Sequence, residues 1–196
     1  MMRTIRPALV LFAAFTLLTG VAYPLLVTGA AGALFAWRAQ GSVLAVRGRP
    51  VGSALIGQAF SAPRYFWGRP SATSPLPYDA LASGGSNLGP TNPAELAAVK
   101  AAAEALRRAD PAEADRPVPV DLVTASGSGL DPDISLAAAN YQLARVARAR
   151  QLPEAAVRRL LDAQLRRPWL GLFGEPRVNV LELNLALDGL RPARLR

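Results

Sequence analysis

The longest feature of the hydropathy pattern is an uncharged run at residues 8–37, preceded by Arg3 and Arg6 and followed by Arg38. A bilayer core about 30 Å thick needs roughly 20 apolar residues of helix, so the run is long enough to cross it with some tilt. A cleaved signal peptide is the alternative, but its apolar region is normally only about 7–15 residues. The pattern favours a retained anchor at residues 1–37, with the membrane helix at about 8–35.

Beyond the anchor, the pattern predicts a mixed domain at residues 38–196. Two short aliphatic runs at 42–46 and 51–56 lie on either side of a Gly/Pro break, which is typical of a β-hairpin. Residues 117–123 alternate as a short strand, whose prolines suit an edge or a strand start. The segment 61–91 is rich in Pro, Gly, Ser and Asn. Long irregular segments of this kind, when ordered, are often functional.

Helix start signals predict four helices in this domain. Asn92 is a suitable N-cap for the first, Asp131 for the second, and the third begins near Pro153. Asn179 caps a very apolar fourth segment at 180–187, whose leucines also alternate with a period of two, so that a strand stays open there. The fold class is therefore α+β: a single N-terminal transmembrane helix followed by one mixed α/β water-facing domain.

The composition excludes several kinds of chemistry. The chain has no cysteine and no histidine, which removes disulfides, thiolate nucleophiles and every imidazole-based catalytic scheme. It has no Gly-Lys-Ser/Thr sequence, and therefore no phosphate-binding P-loop. The net charge of +8 comes almost wholly from arginine, and no basic run is interleaved with aromatic residues. These features indicate a solvated basic surface rather than a nucleic-acid interface.

The charges leave the orientation of the membrane helix undecided. Arg3, Arg6 and the α-amino group lie before it, whereas Arg38, Arg47 and Arg49 follow it. The positive-inside count is close to a tie.

Two glycine- and serine-rich loops and one aromatic cluster are the candidate sites. Glycine-rich loops expose backbone N–H groups that can hold phosphates or other anions, but tight turns and helix capping need the same residues. Two aspartates separated by proline are a weak cation signal, and the aromatic cluster fits either the core or a partner-facing patch. We predict no catalytic residue and no metal ligand. The candidate partner- or nucleotide-facing loop residues are Ser83, Gly84, Gly85, Ser86, Asn87, Asn92, Ser126, Gly127, Ser128, Asp131 and Asp133, and the candidate partner-facing aromatic residues are Tyr65, Phe66 and Trp67.

Several runs together resemble one family, the C subunit of the Kdp potassium-transporting ATPase. The similarity extends over nearly the whole chain, including the anchor. Its runs are RYFWGRPS at 64–71, YD at 78–79, ASGGSNLGPTNP at 82–93, VPVDLVTASGSGLDPDIS at 118–135, AANYQ at 138–142 and GEPRVNVLELN at 174–184.

The resemblance implies a non-catalytic accessory subunit of an ATP-driven, high-affinity potassium importer in the bacterial plasma membrane. The family has one membrane helix, with a cytoplasmic N-terminus and its domain on the outer face. The implied partners are a channel-like A subunit, the ATPase B subunit, a small F subunit and membrane lipid, but no nucleic acid. The subunit is expected to assemble and stabilise the complex and to raise the affinity of the ATPase subunit for ATP.

The resemblance implies no tightly bound cofactor: ATP enters through the complex, and the partner subunits transport potassium. The run at 83–86 is similar to the signature loop of ABC transporters, but Ala82 precedes it and Asn87 follows it, which departs from that pattern. The alternative function is a membrane-anchored ligand-binding domain or enzyme that uses the loop at 126–133.

Overall fold

The computed structural model describes residues 2–168, 171, 174–189 and 193–194. These residues fall into two compact units. One runs to Val43 and includes Arg194, and the other extends from Leu44 to Ala193.

The first unit is built on a long N-terminal helix. Helix α1 (Met2–Leu17) continues through a π-helical turn (Leu18–Ala22) into α2 (Tyr23–Leu34), and a short α3 (Ala36–Ala39) follows. Pro24 cannot donate a backbone hydrogen bond and crowds the preceding turn, and the wider π turn directly before it accommodates this defect. Residues Thr4–Leu34 form one helix that is long and apolar enough to cross a membrane. The predicted long apolar helix is confirmed.

The predicted hairpin is confirmed, with a shifted second strand. β1 (Val43–Val46) and β2 (Arg49–Ser53) are joined by Arg47 and Gly48, which have φ angles of 53° and 75°. Two successive positive φ angles are typical of a two-residue hairpin turn. β5 (Ala193–Arg194) completes a three-stranded sheet in the order β2-β1-β5.

The remaining elements of the second unit are mostly helical. They are α4 (Pro93–Ala109), two 3₁₀ turns (Pro111–Glu113 and Val120–Leu122), β3 (Asp133–Ser135), α5 (Leu136–Arg150), α6 (Glu154–Gln164), β4 (Arg177–Asn179) and α7 (Val180–Leu187).

The strand predicted at residues 117–123 is wrong. The backbone N–H of Leu122 donates to Pro119 O, and that of Thr124 donates to Val120 O, which closes local turns. Prolines in this stretch lack the donors that a strand ladder requires.

The helix start predicted at Asp131 is also wrong. Asp131 Oδ1 accepts from Asp133 N at 3.0 Å within a turn, and β3 then pairs antiparallel with β4. Helix α5 begins only at Leu136, because the Ser135 side chain accepts from Ala138 N and caps it.

The core lies where α5, α6 and α7 meet. Leu143, Val157, Leu161 and Leu183 each expose 1% or less of their surface. Helix α7 has leucines at 181, 183, 185 and 187 that are all buried, so that neighbouring protein surrounds most of its faces. The helical prediction for this segment is confirmed and the alternative strand is wrong, because a helix buried on several sides needs no single apolar stripe.

Candidate partner-docking site

Two buried side-chain amides hold the aromatic segment at residues 65–67. Asn184 Oδ1 accepts from Phe66 N at 2.9 Å, and its Nδ2 donates to Phe66 O at 2.9 Å. Gln142 repeats this pattern on Trp67, with distances of 2.8 Å to N and 3.0 Å to O. The amides thus satisfy four backbone groups that have no neighbouring strand. Helices α5 and α7 fix this part of the irregular segment in place.

Arg145 adds a buried cation to the same contact. It is 4% exposed and donates to Pro63 O at 2.6 Å, to Tyr65 O at 3.2 Å and to Gln142 Oε1 at 2.7 Å. Its guanidinium carbon lies 4.3 Å from the centroid of the Trp67 ring. Burial lowers the pKa of Arg145 to about 10, so the side chain is still charged at neutral pH. Carbonyl oxygens and an aromatic face compensate this charge.

Asp188 secures the other edge of the aromatic segment. Its carboxylate accepts from the Tyr65 hydroxyl at 2.9 Å and from Arg150 at 2.8 Å, and Arg64 lies 3.6 Å away. Burial alone would raise the pKa of Asp188, but the hydrogen bonds from Arg150 and Tyr65 and the nearby positive charges lower it overall.

The three candidate aromatic residues therefore occupy different environments. Phe66 is fully buried in the core, whereas Tyr65 and Trp67 are half-buried and retain exposed edges. Only Tyr65 and Trp67 have surface available to a partner.

The two glycine- and serine-rich loops pack against each other. Gly84 N and Ser83 Oγ both donate to Ser128 O, at 2.9 and 3.1 Å. A Cβ atom on Gly85 would lie 3.0 Å from Gly127 O, and one on Gly129 would lie 2.6 Å from Gly84 O. The glycines thus permit a close approach of two backbones. Gly84 N, Ser83 Oγ and Ser128 O are therefore engaged in hydrogen bonds between the two loops.

The loop at residues 71–79 is fixed by short side chains and one half-buried tyrosine. Ser71 Oγ donates to Gly129 O at 2.7 Å and accepts from Tyr78 N at 2.8 Å. The Tyr78 hydroxyl donates to Arg69 O, and its ring lies where a side chain on Gly57 would be. Burial, followed by the charge of Asp131, raises the pKa of Tyr78 to about 12. The phenol therefore stays protonated and keeps this bond.

A cavity of about 230 Å³ lies beside Asp131 and Asp133. Asp131 is bound by Arg69 at 3.1 Å, and Asp133 by Arg177 at 2.9 Å. Burial raises the pKa of Asp133, an effect that Arg166 and Arg177 partly offset, and Asp133 Oδ1 has no hydrogen-bond partner. The described residues contain no group of three or more His, Cys, Asp or Glu placed to hold a metal ion. The cavity is lined by Arg69, Asp121, Asp131, Asp133, Ile134, Ser135, Glu175, Pro176 and Arg177.

The other candidate loop residues have local roles. Asn92 Oδ1 accepts from Ala94 N at 2.9 Å and caps α4, and Ser86 Oγ donates to Glu95 at 3.3 Å in the same region. Asn87 is exposed with a φ of 52°, and Ser126 is buried beside Ser128. The structure thus brings the loops at 83–85 and 126–129 together, whereas Asn92 lies at the start of α4.

Between its fixed points, the irregular segment presents two leucines that are more than half exposed. Leu76 is 66% exposed and Leu81 is 98% exposed, on either side of the anchored Tyr78. Apolar side chains held out on an ordered loop are candidate contacts for another protein.

Sequence reasoning did not identify Gln142, Arg145 and Asn184 as residues that position this surface. The available signal was their place on helices whose neighbouring residues are buried, where a polar side chain requires a partner. The partner is a backbone segment more than 70 residues away along the chain, which no local pattern reveals.

Comparison with known proteins decides the family. The sequence model of KdpC, described as the K⁺-transporting ATPase c chain, matches residues 5–189. The chain belongs to the KdpC family. A potassium-transporting ATPase KdpC subunit of Polaromonas naphthalenivorans is 65% identical over 192 residues, covering 98% of this chain and 97% of the relative. The KdpC subunit of Variovorax paradoxus is 63% identical over 194 residues, covering 99% and 100%. One from Methylibium petroleiphilum is 65% identical over 188 residues, covering 96% and 98%.

The KdpC match includes both the helix suited to a membrane and most of the second unit. All the sequence runs that carry the resemblance lie within it. The mixed helix and strand composition agrees with the predicted fold class.

Proposed function

We propose that this chain is a non-catalytic accessory subunit of an ATP-driven potassium importer. The observation that carries the proposal is the KdpC family match over residues 5–189, together with near full-length relatives named as potassium-transporting ATPase subunits. The absence of histidine and cysteine and of a P-loop from the sequence supports the same conclusion. The chain assembles and stabilises the complex, and partner subunits carry out ATP hydrolysis and potassium transport.

The partners of the chain in this proposal are a channel-like A subunit, the ATPase B subunit and a small F subunit. The helix at Thr4–Leu34 packs in the bilayer, and the water-facing unit contacts a partner through the loop that carries Leu76 and Leu81. The internal bonds of this loop support that role, because a preordered loop loses little conformational freedom when it binds.

The proposed orientation has a cytoplasmic N-terminus and the domain on the outer face. The chain has no native cysteine, so a single introduced thiol reports its own side of the membrane. Leu96→Cys lies on an exposed position outside the proposed contact loop, and Thr4→Cys lies at the start of the helix. In spheroplasts, a membrane-impermeant maleimide should label Leu96→Cys and not Thr4→Cys. The reverse pattern would contradict the orientation.

The chain also raises the affinity of the ATPase subunit for ATP. A domain outside the cell cannot touch cytoplasmic ATP, so this effect acts through the partner subunits. Complexes with and without the chain should then differ in the KM for ATP. An equal KM in the two preparations would exclude this part of the proposal.

Co-purification tests the assembly function directly. An affinity tag on the ATPase subunit should recover the channel-like subunit in stoichiometric amount when this chain is present. Recovery should fall when the gene for this chain is deleted and return when the chain is supplied again. Unchanged recovery after deletion would refute an assembly role.

Ligand binding by the loop at 126–133 is a second candidate function. It is favoured by the cavity beside Asp133 and by the unpaired Oδ1 atom of that residue. A combined alanine variant of Ser126, Ser128, Asp131 and Asp133 should then abolish binding or turnover by the chain without its partners. Retained binding or turnover would exclude this function.

A further inference from the structure

The C-terminal end of the long helix forms a small site of its own. Helix α2 ends at Leu34, and Phe35 leaves helical geometry with φ −135° and ψ 39°. The chain then turns through α3, which brings Trp37 and Arg38 next to the end of the apolar surface. The Trp37 indole N–H donates to Val43 O at 3.1 Å, which fixes the orientation of the ring.

Arg194 completes this site from the far end of the sequence. Its guanidinium carbon lies 4.3 Å from the centroid of the Trp37 ring. The indole face thus holds the Arg194 guanidinium at a cavity that Arg38 also lines. The cavity has a volume of about 390 Å³, and its lining residues are Leu34, Phe35, Ala36, Trp37, Arg38 and Arg194.

The described residues that line the site include two cations and no anion. Among the described residues, Arg38 and Arg194 form no ion pair, whereas eight other arginines do. The first acidic residue in the sequence is Asp79, so the segment that forms most of the site contains no carboxylate. These two exposed guanidinium groups at the edge of a hydrophobic helix are therefore free to bind an anion that is itself compatible with an apolar environment.

We propose that this site binds the phosphate of an anionic phospholipid. Guanidinium groups bind phosphate oxygens through paired N–H donors, and tryptophan is favoured at the depth of lipid headgroups. The acyl chains would lie along Leu34 and Phe35, which are both exposed. The two cations adjoin the apolar helix surface, along which acyl chains would lie. This favours the phosphate of a lipid over free phosphate. The proposal depends on the membrane span proposed above.

Lipid titration of the full-length chain tests this site. The chain is purified in a neutral detergent, and lipid adducts are counted by native mass spectrometry during titration with phosphatidylglycerol or with phosphatidylcholine of equal chain length. Phosphatidylglycerol should bind more tightly. Because each arginine near a lipid surface contributes on the order of 1 kcal/mol, Arg38→Gln with Arg194→Gln should weaken its binding by about 30-fold.

The hairpin turn supplies a matched control with the same change in charge. Arg47 and Arg49 are exposed and line no part of the site, so Arg47→Gln with Arg49→Gln should leave the phosphatidylglycerol titration unchanged. Arg38→Lys with Arg194→Lys should retain part of the affinity, because the charges remain while the paired donors are lost. Helical circular dichroism confirms that each variant is folded.

Three results would overturn the proposal. Equal weakening in both glutamine pairs would indicate a general attraction to negative charge. Equal binding of the two lipids would exclude a headgroup requirement, and displacement of the lipid by an equal concentration of inorganic phosphate would indicate a free-phosphate site. A chain that failed to insert into membranes would refute the proposed span, but the titration in detergent would still report on the site.

Discussion

Gln142 forms a pair of hydrogen bonds with the backbone of Trp67, through its carbonyl oxygen at 2.8 Å and its amide nitrogen at 3.0 Å. The two residues are 75 positions apart, and the contact joins helix α5 to the longest irregular segment of the chain. The same amide oxygen accepts from Arg145 at 2.7 Å. One buried side chain thus connects the core to the segment that presents the exposed leucines.

We expect Gln142→Leu to destabilise the fold strongly. Leucine fills a similar volume but leaves the N–H and C=O of Trp67 and one Arg145 donor without a partner. Each buried polar group that loses its partner costs about 1–3 kcal/mol, so the free energy of unfolding should fall by roughly 2–5 kcal/mol. Urea unfolding of the full chain in detergent, followed by circular dichroism, measures the change.

Asn140→Leu is the control for this variant on the same helix. The Asn140 side-chain oxygen accepts an exposed hydrogen bond from Arg158 at 3.1 Å, so its loss should cost less than about 1 kcal/mol. Similar losses of unfolding free energy in Gln142→Leu and Asn140→Leu would show that the hydrogen bonds between Gln142 and Trp67 stabilise the fold no more than an exposed one does.

Gly129→Ala should separate the two glycine-rich loops. Gly129 has a φ of 67°, and a Cβ there would lie 2.6 Å from Gly84 O and 2.7 Å from the Thr73 methyl group. Backbone strain and this overlap together should lower the free energy of unfolding by roughly 2–4 kcal/mol.

Gly127→Ala provides the matched comparison, since a Cβ at Gly127 meets open space. It should change stability by less than about 1 kcal/mol. Hydrogen exchange at Gly84 N should accelerate in Gly129→Ala alone. Equal exchange rates in both variants would contradict the close packing of the loops.

Asp188 should stabilise the fold in a pH-dependent manner. Its folded-state pKa lies below the ordinary value of 3.8, because the hydrogen bonds from Arg150 and Tyr65 and the nearby charges outweigh burial. Its contribution is therefore complete above the ordinary value and is lost as the pH falls through the folded-state pKa. Asp188→Asn should lower the free energy of unfolding by about 1 kcal/mol at pH 7, and this difference should shrink in acid.

Unfolding at pH 7 and at successively lower pH measures this difference. Asp115→Asn removes an equal charge from an exposed residue that forms no ion pair within the described part of the chain, and should show no such trend. If the difference in unfolding free energy between wild type and Asp188→Asn grew in acid, the assigned downward shift of the Asp188 pKa would be contradicted.

Leu76→Asp combined with Leu81→Asp should impair assembly without unfolding the chain. Both side chains are exposed, so stability should change by less than about 1 kcal/mol, whereas a charge placed in a protein contact costs far more. The measurement is recovery of the channel-like subunit with a tagged ATPase subunit. Leu96→Asp, on the exposed face of α4, is the control, and equal losses in both variants would argue against the loop as the contact.

Local signals in the sequence were sufficient for several elements. Asn92 and Asn179 were recognised as helix caps, and the side chains do accept from Ala94 N and Glu182 N. Asp131 carried the same signal, but its segment pairs with β4 more than 40 residues away and forms a strand instead. A cap is a local interaction, whereas strand pairing depends on distant residues, so the sequence pattern could not separate these cases.

The candidate site was predictable only in part. A glycine-rich loop that binds a phosphate and one that packs against another backbone have the same sequence pattern. The contact between Gly85 and Gly127 is therefore evident only from the structure. Phe66 was equally ambiguous, since an aromatic residue between two arginines fits either the surface or the core. The amide pairs of Gln142 and Asn184 required knowledge of which distant segment each helix faces.

The most direct test of the central claim is the potassium-stimulated ATPase activity of the transporter purified with and without this chain. We predict that activity is lost or strongly reduced without the chain and is restored when the full-length chain is co-expressed. Full potassium-stimulated activity in a complex that lacks the chain would contradict its assignment as a required accessory subunit.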